Sequence, residues 1–115
     1  MVFGVFDGLH EGHRYFLTEA GKLCDALFVV VASDRMVEKL KGRAPKHLYK
    51  ERVTMLRAFN PTLAIAAGDE EIGEWQVVKR HAPDVVIVGH DQGSLLAEIR
   101  FLAIPFTQLE KLDLL

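Results

Sequence analysis

Two histidines stand three positions apart in the segment Gly4–His13, whose sequence is GVFDGLHEGH. The segment joins an apolar run to the start of a helical pattern, which predicts a strand-to-helix turn. Free backbone N–H groups and the positive end of a helix dipole favour an anion there, and Gly12 lets a phosphate approach the main chain. Both imidazoles can donate hydrogen bonds to that anion and stabilise negative charge that develops in a transition state. The spacing therefore predicts a phosphate site built on His10 and His13.

A metal site is the competing interpretation of the same turn, because two histidines can also ligate zinc. The neighbouring sequence offers no obvious third ligand, and this favours the anion. His47 and His81 are interpreted as packed or solvated residues.

A second feature is a basic block between Arg35 and Arg57, where eight basic residues stand against two acidic ones. The whole chain has 14 Lys and Arg against 16 Asp and Glu, for a net charge of −2. Such a block in an acidic protein indicates a local anionic ligand rather than nucleic acid, which favours a basic domain. Within it, residues 41–47 (KGRAPKH) are predicted to form a mobile basic loop. A solvated surface is the alternative.

The elements that must position these residues alternate between apolar runs and helical patterns. Because the apolar runs are continuous, the strands are predicted to be covered on both faces, as in a parallel sheet with helices on each side. The predicted fold class is α/β: a single doubly wound Rossmann-like domain over residues 1–115, with a parallel sheet of about five strands. Its ligand should lie beyond the carboxyl ends of the strands, at the switch point of strand order. The predicted strands are Met1–Phe6, Ala26–Ala32, Leu63–Ala67, Asp84–Val88 and Ile104–Leu109.

Helix boundaries follow from capping residues and prolines. Ser33 or Asp34 can cap a short helix after the second strand, and the next helix is predicted to stop at Asn60-Pro61. Trp75 and Val78 mark a further amphipathic helix, with Trp75 expected in the core. Residues 94–103 complete the predicted helices.

Composition excludes several classes of protein. The chain has 115 residues, half of them hydrophobic, which is enough to form one core without stabilising disulfides or metal ions. Its single cysteine, Cys24, rules out an internal disulfide framework. The longest apolar run, Ala26–Ala32, is far shorter than the ~20 residues of a membrane helix. A cytoplasmic protein is expected.

The segment GVFDGLHEGH matches the motif G-x-F-D-x-x-H-x-G-H in order and spacing, and the chain thereby resembles the HxGH-motif, or cytidylyltransferase-like, nucleotidyltransferases. The resemblance continues through VVVASD at 29–34, Lys41-Gly42-Arg43, Glu51-Arg52 and the turn at 89–92. Together with Gly68-Asp69-Glu70-Glu71, these motifs look most like archaeal-type FAD synthases, and next like glycerol-3-phosphate cytidylyltransferases.

This resemblance implies an enzyme in which the phosphate of an acceptor, FMN in FAD synthases, attacks the α-phosphorus of ATP or CTP and releases pyrophosphate. It implies Mg²⁺ with the nucleoside triphosphate as cofactor. The implied partners are the triphosphate and a phosphorylated small molecule, without nucleic acid or membrane, and the implied assembly is a homodimer. His10, His13 and Lys41 are implied as catalytic residues. The implied nucleotide-binding residues are Val5, Phe6, Asp7, Gly12, Arg43, Arg52, Gly89, Asp91 and Gln92.

The sequence departs from the family after Gly89–Gln92. Members commonly carry a Ser/Thr-rich motif there, and Thr107 is the single candidate in this chain. Two alternatives to FAD synthesis therefore stay open. One is a cytidylyltransferase for glycerol 3-phosphate or a related alcohol phosphate, and the other is a nucleotide-binding module with weak catalysis. A dinucleotide-binding Rossmann domain is disfavoured, because the first turn lacks G-x-G-x-x-G.

Overall fold

The computed structural model describes residues 1–70, 74–89 and 92–109, in which strands and helices alternate. The described strands are β1 Val2–Gly4, β2 Phe28–Val31, β3 Ala64–Ala67, β4 Val86–Val88 and β5 Phe106–Gln108. The described helices are α1 Glu11–Lys22, α2 Asp34–Lys41, α3 Tyr49–Phe59, α4 Gln76–His81 and α5 Gly93–Phe101. Every strand pair is parallel, so the predicted α/β class with about five strands is confirmed.

The strands form a three-stranded sheet β1-β2-β3 and a two-stranded sheet β4-β5. Met1 connects the two, because its nitrogen donates to the Val85 carbonyl and its carbonyl accepts from the Ile87 N–H, both at 2.9 Å. The spatial order across the molecule is therefore β3-β2-β1-β4-β5. Strand order reverses between β1 and β4, and this is the switch point where such folds bind ligands.

Alternate residues of the strands face opposite layers of helices. On the first face, Val29 and Val31 of β2 pack with Leu17 of α1 and Leu56 of α3. On the second face, Val30 packs with Val77 and Val78 of α4, and the neighbouring cluster joins β4 to α5. The helices thus cover both sides of the sheet, as predicted for a doubly wound domain.

Several boundaries follow from local chemistry that the sequence displays. Ser33 caps α2, and its Oγ accepts from the Met36 N–H at 3.1 Å. Helix α2 ends at Gly42, whose φ of 70° is the left-handed conformation that glycine adopts easily. Helix α3 ends before Pro61 with Asn60 extended, as the proline predicts.

Other boundaries differ from those predicted. Strand β1 stops at Gly4 instead of continuing to Phe6, because Phe6 has a φ of 52°, which no strand accommodates. Trp75 was expected inside a helix, but it is the residue that precedes α4 and also has a positive φ, of 55°. Among the residues that the structure describes, none of the helices is long and apolar enough to span a membrane.

Candidate active site

The two histidines predicted from the sequence lie together where α1 begins. Their rings stack, with centroids 3.6 Å apart and planes inclined by 17°. His10 is the N-cap of α1, and its Nδ1 accepts a hydrogen bond from the backbone N–H of His13 at 3.3 Å. When His10 is neutral, this bond leaves its proton on Nε2, which can donate to a ligand. The pair therefore presents imidazole donors at the positive end of a 12-residue helix.

Gly12 has a structural role that adds to the predicted one. A Cβ at this position would lie 3.1 Å from Cε1 of His10 and 3.3 Å from its Nδ1. The missing side chain is therefore what lets the His10 ring lie close against the first turn of α1.

The ring of Phe6 packs against the ring of His13. Its buried ring meets the His13 ring edge-on, with centroids 5.3 Å apart. The same ring covers Gly4, where an added Cβ would lie 2.6 Å from two of its carbon atoms. The positive φ of Phe6 turns its ring back over Gly4, the last residue of β1. The same ring contacts both Gly4 and His13, so a shift at the end of β1 would move His13.

Asp7 fastens the basic segment 41–47 to this turn. Its carboxylate oxygens accept from the backbone N–H groups of Lys46 at 2.6 Å and His47 at 2.9 Å. Desolvation alone would raise the pKa of Asp7, but these two donors, with the charges of His47 and Arg52, lower it below its ordinary value. Asp7 therefore holds the segment 41–47 against the turn that precedes α1.

Arg52, which was predicted to contact a nucleotide, instead forms hydrogen bonds within the protein. Its side chain has no exposed surface, and its guanidinium donates to four protein oxygens. These are the carbonyls of Val5 at 2.9 Å, Ala32 at 2.7 Å and His47 at 3.0 Å, and Oδ1 of Asp34 at 2.7 Å. Arg52 therefore ties the carboxyl ends of β1 and β2 to the basic segment, and lies beneath the site.

A cavity of about 300 Å³ opens at the same edge of the sheet. Phe3, Val30, Trp75 and Val77 line it, and these residues pack in the second-face cluster, whereas Phe6 packs on the first face. Met36 and Leu40 of α2 form a further wall. The turn at Gly4 and Val5 therefore separates the cavity from the histidine pair.

Gln92 closes the switch point between β1 and β4. Its Oε1 accepts from the Gly89 N–H at 2.8 Å, and its Nε2 donates to the Phe3 carbonyl at 2.9 Å. Gln92 also lines the cavity. Asp91 lies outside the described residues.

Lys41 and Arg43 are exposed, at the end of α2 and just beyond it. Lys41 is the last residue of α2, and its neighbour Leu40 lines the cavity. Within residues 1–70, 74–89 and 92–109, no group of three His, Cys, Asp or Glu side chains is placed to hold a metal ion. The lone pairs of the stacked histidines lie in nearly parallel planes, instead of converging on one ion as zinc requires.

Sequence reasoning missed three contributors. Trp75 packs against the core as predicted, and it also forms part of the cavity wall and contacts Phe3 edge-on at 5.8 Å. Gly4 and Asp34 gave no signal beyond membership of a motif. Phe6 and Trp75 both adopt the left-handed backbone conformation. This conformation could not be predicted from the sequence, because bulky residues rarely adopt it.

Comparison with known proteins shows the family that this chain resembles. The sequence profile of the cytidylyltransferase-like family matches residues 1–101. The FAD synthase of Thermococcus sibiricus is 40% identical over 89 residues, covering 77% of this chain and 60% of the relative. The FAD synthase of Pyrococcus abyssi is 40% identical over 92 residues, covering 80% and 62%. The chain thus spans about 60% of the length of these curated relatives.

A solved structure extends the comparison to nearly the whole chain. The lipopolysaccharide core biosynthesis protein from Thermoplasma volcanium superposes with a TM-score of 0.79 at 30% sequence identity. The match covers 99% of this chain and 95% of that one.

Proposed function

The chain belongs to the cytidylyltransferase-like family, and on that premise we propose that it is a nucleotidyltransferase, transferring AMP from ATP to FMN with release of pyrophosphate. The observation that carries the proposal is the stacked pair His10 and His13 at the start of α1. A helix N-terminus with two imidazole donors suits an anion whose negative charge is redistributed during reaction. The relatives named FAD synthase supply the choice of acceptor.

The proposed chemistry needs little beyond positioning and positive charge. The acceptor phosphate oxygen forms a bond to the α-phosphorus while the bond to the pyrophosphate oxygen breaks, with the two oxygens roughly in line. His10 and His13 hold the triphosphate and donate to the oxygens on which charge accumulates. Lys41, with Arg43, neutralises the departing pyrophosphate. Asp7 and Arg52 keep the basic segment against the turn, so that these cations stay near the edge.

The remaining residues of the proposed nucleotide site are Val5, Phe6, Gly12, Gly89, Asp91 and Gln92. Mg²⁺ enters with the triphosphate, because this ion keeps several waters and binds through substrate phosphates more than through a cage of protein ligands. The proposal includes one nucleotide-binding domain over residues 1–115, a cytoplasmic location and a homodimer. Light scattering tests the homodimer, which would cover an exposed edge such as β3 or β5.

A panel assay tests the reaction. ATP or CTP is paired with FMN, glycerol 3-phosphate, ethanolamine phosphate or phosphopantetheine, and pyrophosphate release is measured with Mg²⁺ present. We expect release with ATP and FMN, and loss of it in His10→Asn. Release in no pairing above the His10→Asn background, with ATP binding intact by calorimetry, would leave a nucleotide-binding module in place of an enzyme.

A second candidate is cytidylyl transfer to glycerol 3-phosphate or a related alcohol phosphate. It is favoured by the match to the cytidylyltransferase-like family profile and by the similarity to the solved lipopolysaccharide core biosynthesis protein. Release of pyrophosphate with CTP and an alcohol phosphate, and not with ATP and FMN, selects this candidate.

A further inference from the structure

Gln92 joins the ends of two strands that lie far apart in the sequence. Its Nε2 donates to the carbonyl of Phe3 in β1 at 2.9 Å, and its Oε1 accepts from the N–H of Gly89, which follows β4, at 2.8 Å. Since Nε2 can only donate and Oε1 can only accept, these two partners fix the orientation of the amide. Gly89 is buried and its N–H is bound by Gln92, so a phosphate would have to displace the glutamine to reach this donor.

This contact lies at the edge of the sheet where ligands bind in folds of this kind. At the other edge, the nitrogen of Met1 bonds to the Val85 carbonyl, and these residues lie just before β1 and β4. Gly89 lies just after β4, so Gln92 joins the same two strands near their carboxyl ends. The link at this edge is made by a side chain, and it can therefore be changed by substitution.

A series of contacts leads from Gln92 to the histidine pair. Phe3 is followed by Gly4, where an added Cβ would lie 2.6 Å from carbon atoms of the Phe6 ring. That ring meets the His13 ring edge-on, with centroids 5.3 Å apart. Movement of β1 relative to β4 would therefore move His13 relative to the end of β4.

Both strand ends contribute residues to the proposed nucleotide site. The histidines that hold the triphosphate follow β1, whereas Gly89 and Gln92 follow β4. An in-line displacement needs the attacking oxygen and the phosphorus in nearly fixed positions, and a misplacement of about 1 Å can lower the rate about 100-fold. The rate should therefore depend on the separation of the two strand ends.

We propose that Gln92 is a positioning residue for nucleotidyl transfer, whose amide sets the separation between the end of β4 and the histidine pair. The inference rests on the proposed function and specifies how that site is held in register. Gln92 acts on the nucleotide through the backbone at Phe3 and Gly89, because its amide binds the protein at both ends.

Gln92→Glu tests this role, because protonation alone changes what the new side chain can do. The neutral acid reproduces the amide, since its hydroxyl donates to the Phe3 carbonyl and its other oxygen accepts from the Gly89 N–H. The ionised acid has no donor, and an anionic oxygen then faces the Phe3 carbonyl. This repulsion, the partial burial of position 92 and the carboxylate of Asp69, which lines the same cavity, all favour the neutral acid.

Pyrophosphate release with ATP and FMN is measured near pH 8 and near pH 6, and circular dichroism confirms the fold. We expect kcat/KM for ATP in Gln92→Glu, relative to the unmodified chain at the same pH, to be about tenfold lower near pH 8 and to recover to within about threefold near pH 6. Gln92→Met is similar in length and lacks the donor at every pH, so it should be about tenfold less active at both. A loss of stability that leaves the chain folded would not produce this difference between the variants.

Gln108→Glu is the matched control. The Gln108 Nε2 donates to the carbonyl of the same Gly89 at 3.5 Å, but from β5 instead of β1. Gln108 is exposed, so a carboxylate there can turn toward water. Its activity relative to the unmodified chain should stay within about twofold at both pH values.

The outcomes separate positioning from the reaction itself. A Gln92→Glu ratio that does not change with pH, or full activity of Gln92→Met, overturns the inference and leaves the reaction standing. If the unmodified chain releases no pyrophosphate, the proposed function fails, and NMR of the same proteins decides on the inference. In Gln92→Glu, the Phe6 ring protons should then show a titration step that they share with the Gly89 amide and that the unmodified chain and Gln108→Glu lack. Phe6 ring shifts with the same pH dependence in all three proteins overturn the inference.

Discussion

The Nδ1 atom of His10 accepts the backbone N–H of His13 at 3.3 Å, so one imidazole both caps α1 and faces the site. The cap uses one ring nitrogen and leaves Nε2 for a ligand. The helix end that attracts a phosphate is thus fixed by the same side chain that contacts it, and the two roles can be separated by substitution.

His10→Asn should separate capping from chemistry. Asparagine is a good N-cap residue, so the free energy of unfolding should change little, while loss of Nε2 should lower kcat about 100-fold or more. His10→Ala should lose the same activity and also about 1 kcal/mol of stability. Urea unfolding and pyrophosphate release measure the two effects. Equal stability of the two variants would contradict the capping role.

Gly12→Ala should impair activity without unfolding the protein. The added Cβ at 3.1 Å from His10 Cε1 must push the ring by a few tenths of an ångström, and we expect roughly tenfold lower kcat. Gly21→Ala in the same helix is the control, because no heavy atom of the described residues lies within 4 Å of its Cβ position. That variant should be about 1 kcal/mol more stable and fully active, as measured by thermal unfolding and turnover.

Gly4→Ala should displace Phe6 and, through it, His13. A Cβ 2.6 Å from the Phe6 ring cannot be accommodated, so we expect a loss of about 1–3 kcal/mol of stability together with reduced turnover. Adding Phe6→Leu, which removes the ring atoms in conflict, should recover part of the stability. A double-mutant cycle from urea unfolding measures this coupling, and strict additivity would argue against the contact.

Arg52→Lys should be destabilising although it conserves charge. A lysine cannot reproduce the guanidinium fork that serves Val5, Ala32, His47 and Asp34, and buried partners would be left unpaired. We expect a loss of about 3 kcal/mol, close to that for breaking a buried ion pair. Arg57→Lys on the same helix is exposed and should stay within about 0.5 kcal/mol in urea unfolding.

Attachment of the basic segment should be lost only in strong acid. Because the pKa of Asp7 is lowered from 3.8 in the folded protein, its carboxylate stabilises the fold above that pH, and this contribution disappears as the pH falls through the lowered value. The side-chain carboxyl NMR shift of Asp7 should therefore stay constant down to pH 3.8 and move below it. In Asp7→Asn at neutral pH, the amides of Lys46 and His47 should exchange about fivefold faster, as expected for a net loss of ~1 kcal/mol. A carboxyl shift of Asp7 that titrates well above pH 3.8 would contradict the assignment.

The sequence predicted the features that depend on neighbouring residues. The strand cores, the Ser33 cap and the end of α3 before Pro61 follow from local patterns, and the histidine pair follows from its spacing. The family resemblance is confirmed by the match over residues 1–101.

Features that depend on distant contacts could not be predicted. Arg52 acquires its task from groups contributed by residues 5, 32, 34 and 47, and its side chain gives no sign of burial in the sequence. Trp75 becomes a cavity wall because of the conformation before α4, which ordinary propensities disfavour. The catalytic and nucleotide-binding assignments remain predictions for the experiments above.

The buried guanidinium also bears on how the chain folds. No pair of elements alone satisfies it, since its acceptors come from two strand ends and the segment that precedes α3. An intermediate that buries Arg52 before all of these segments are in place would hold a desolvated positive charge with missing acceptors. Its free energy would therefore be raised relative to both the unfolded and the native state. We therefore expect the segments that contact Arg52 to assemble cooperatively.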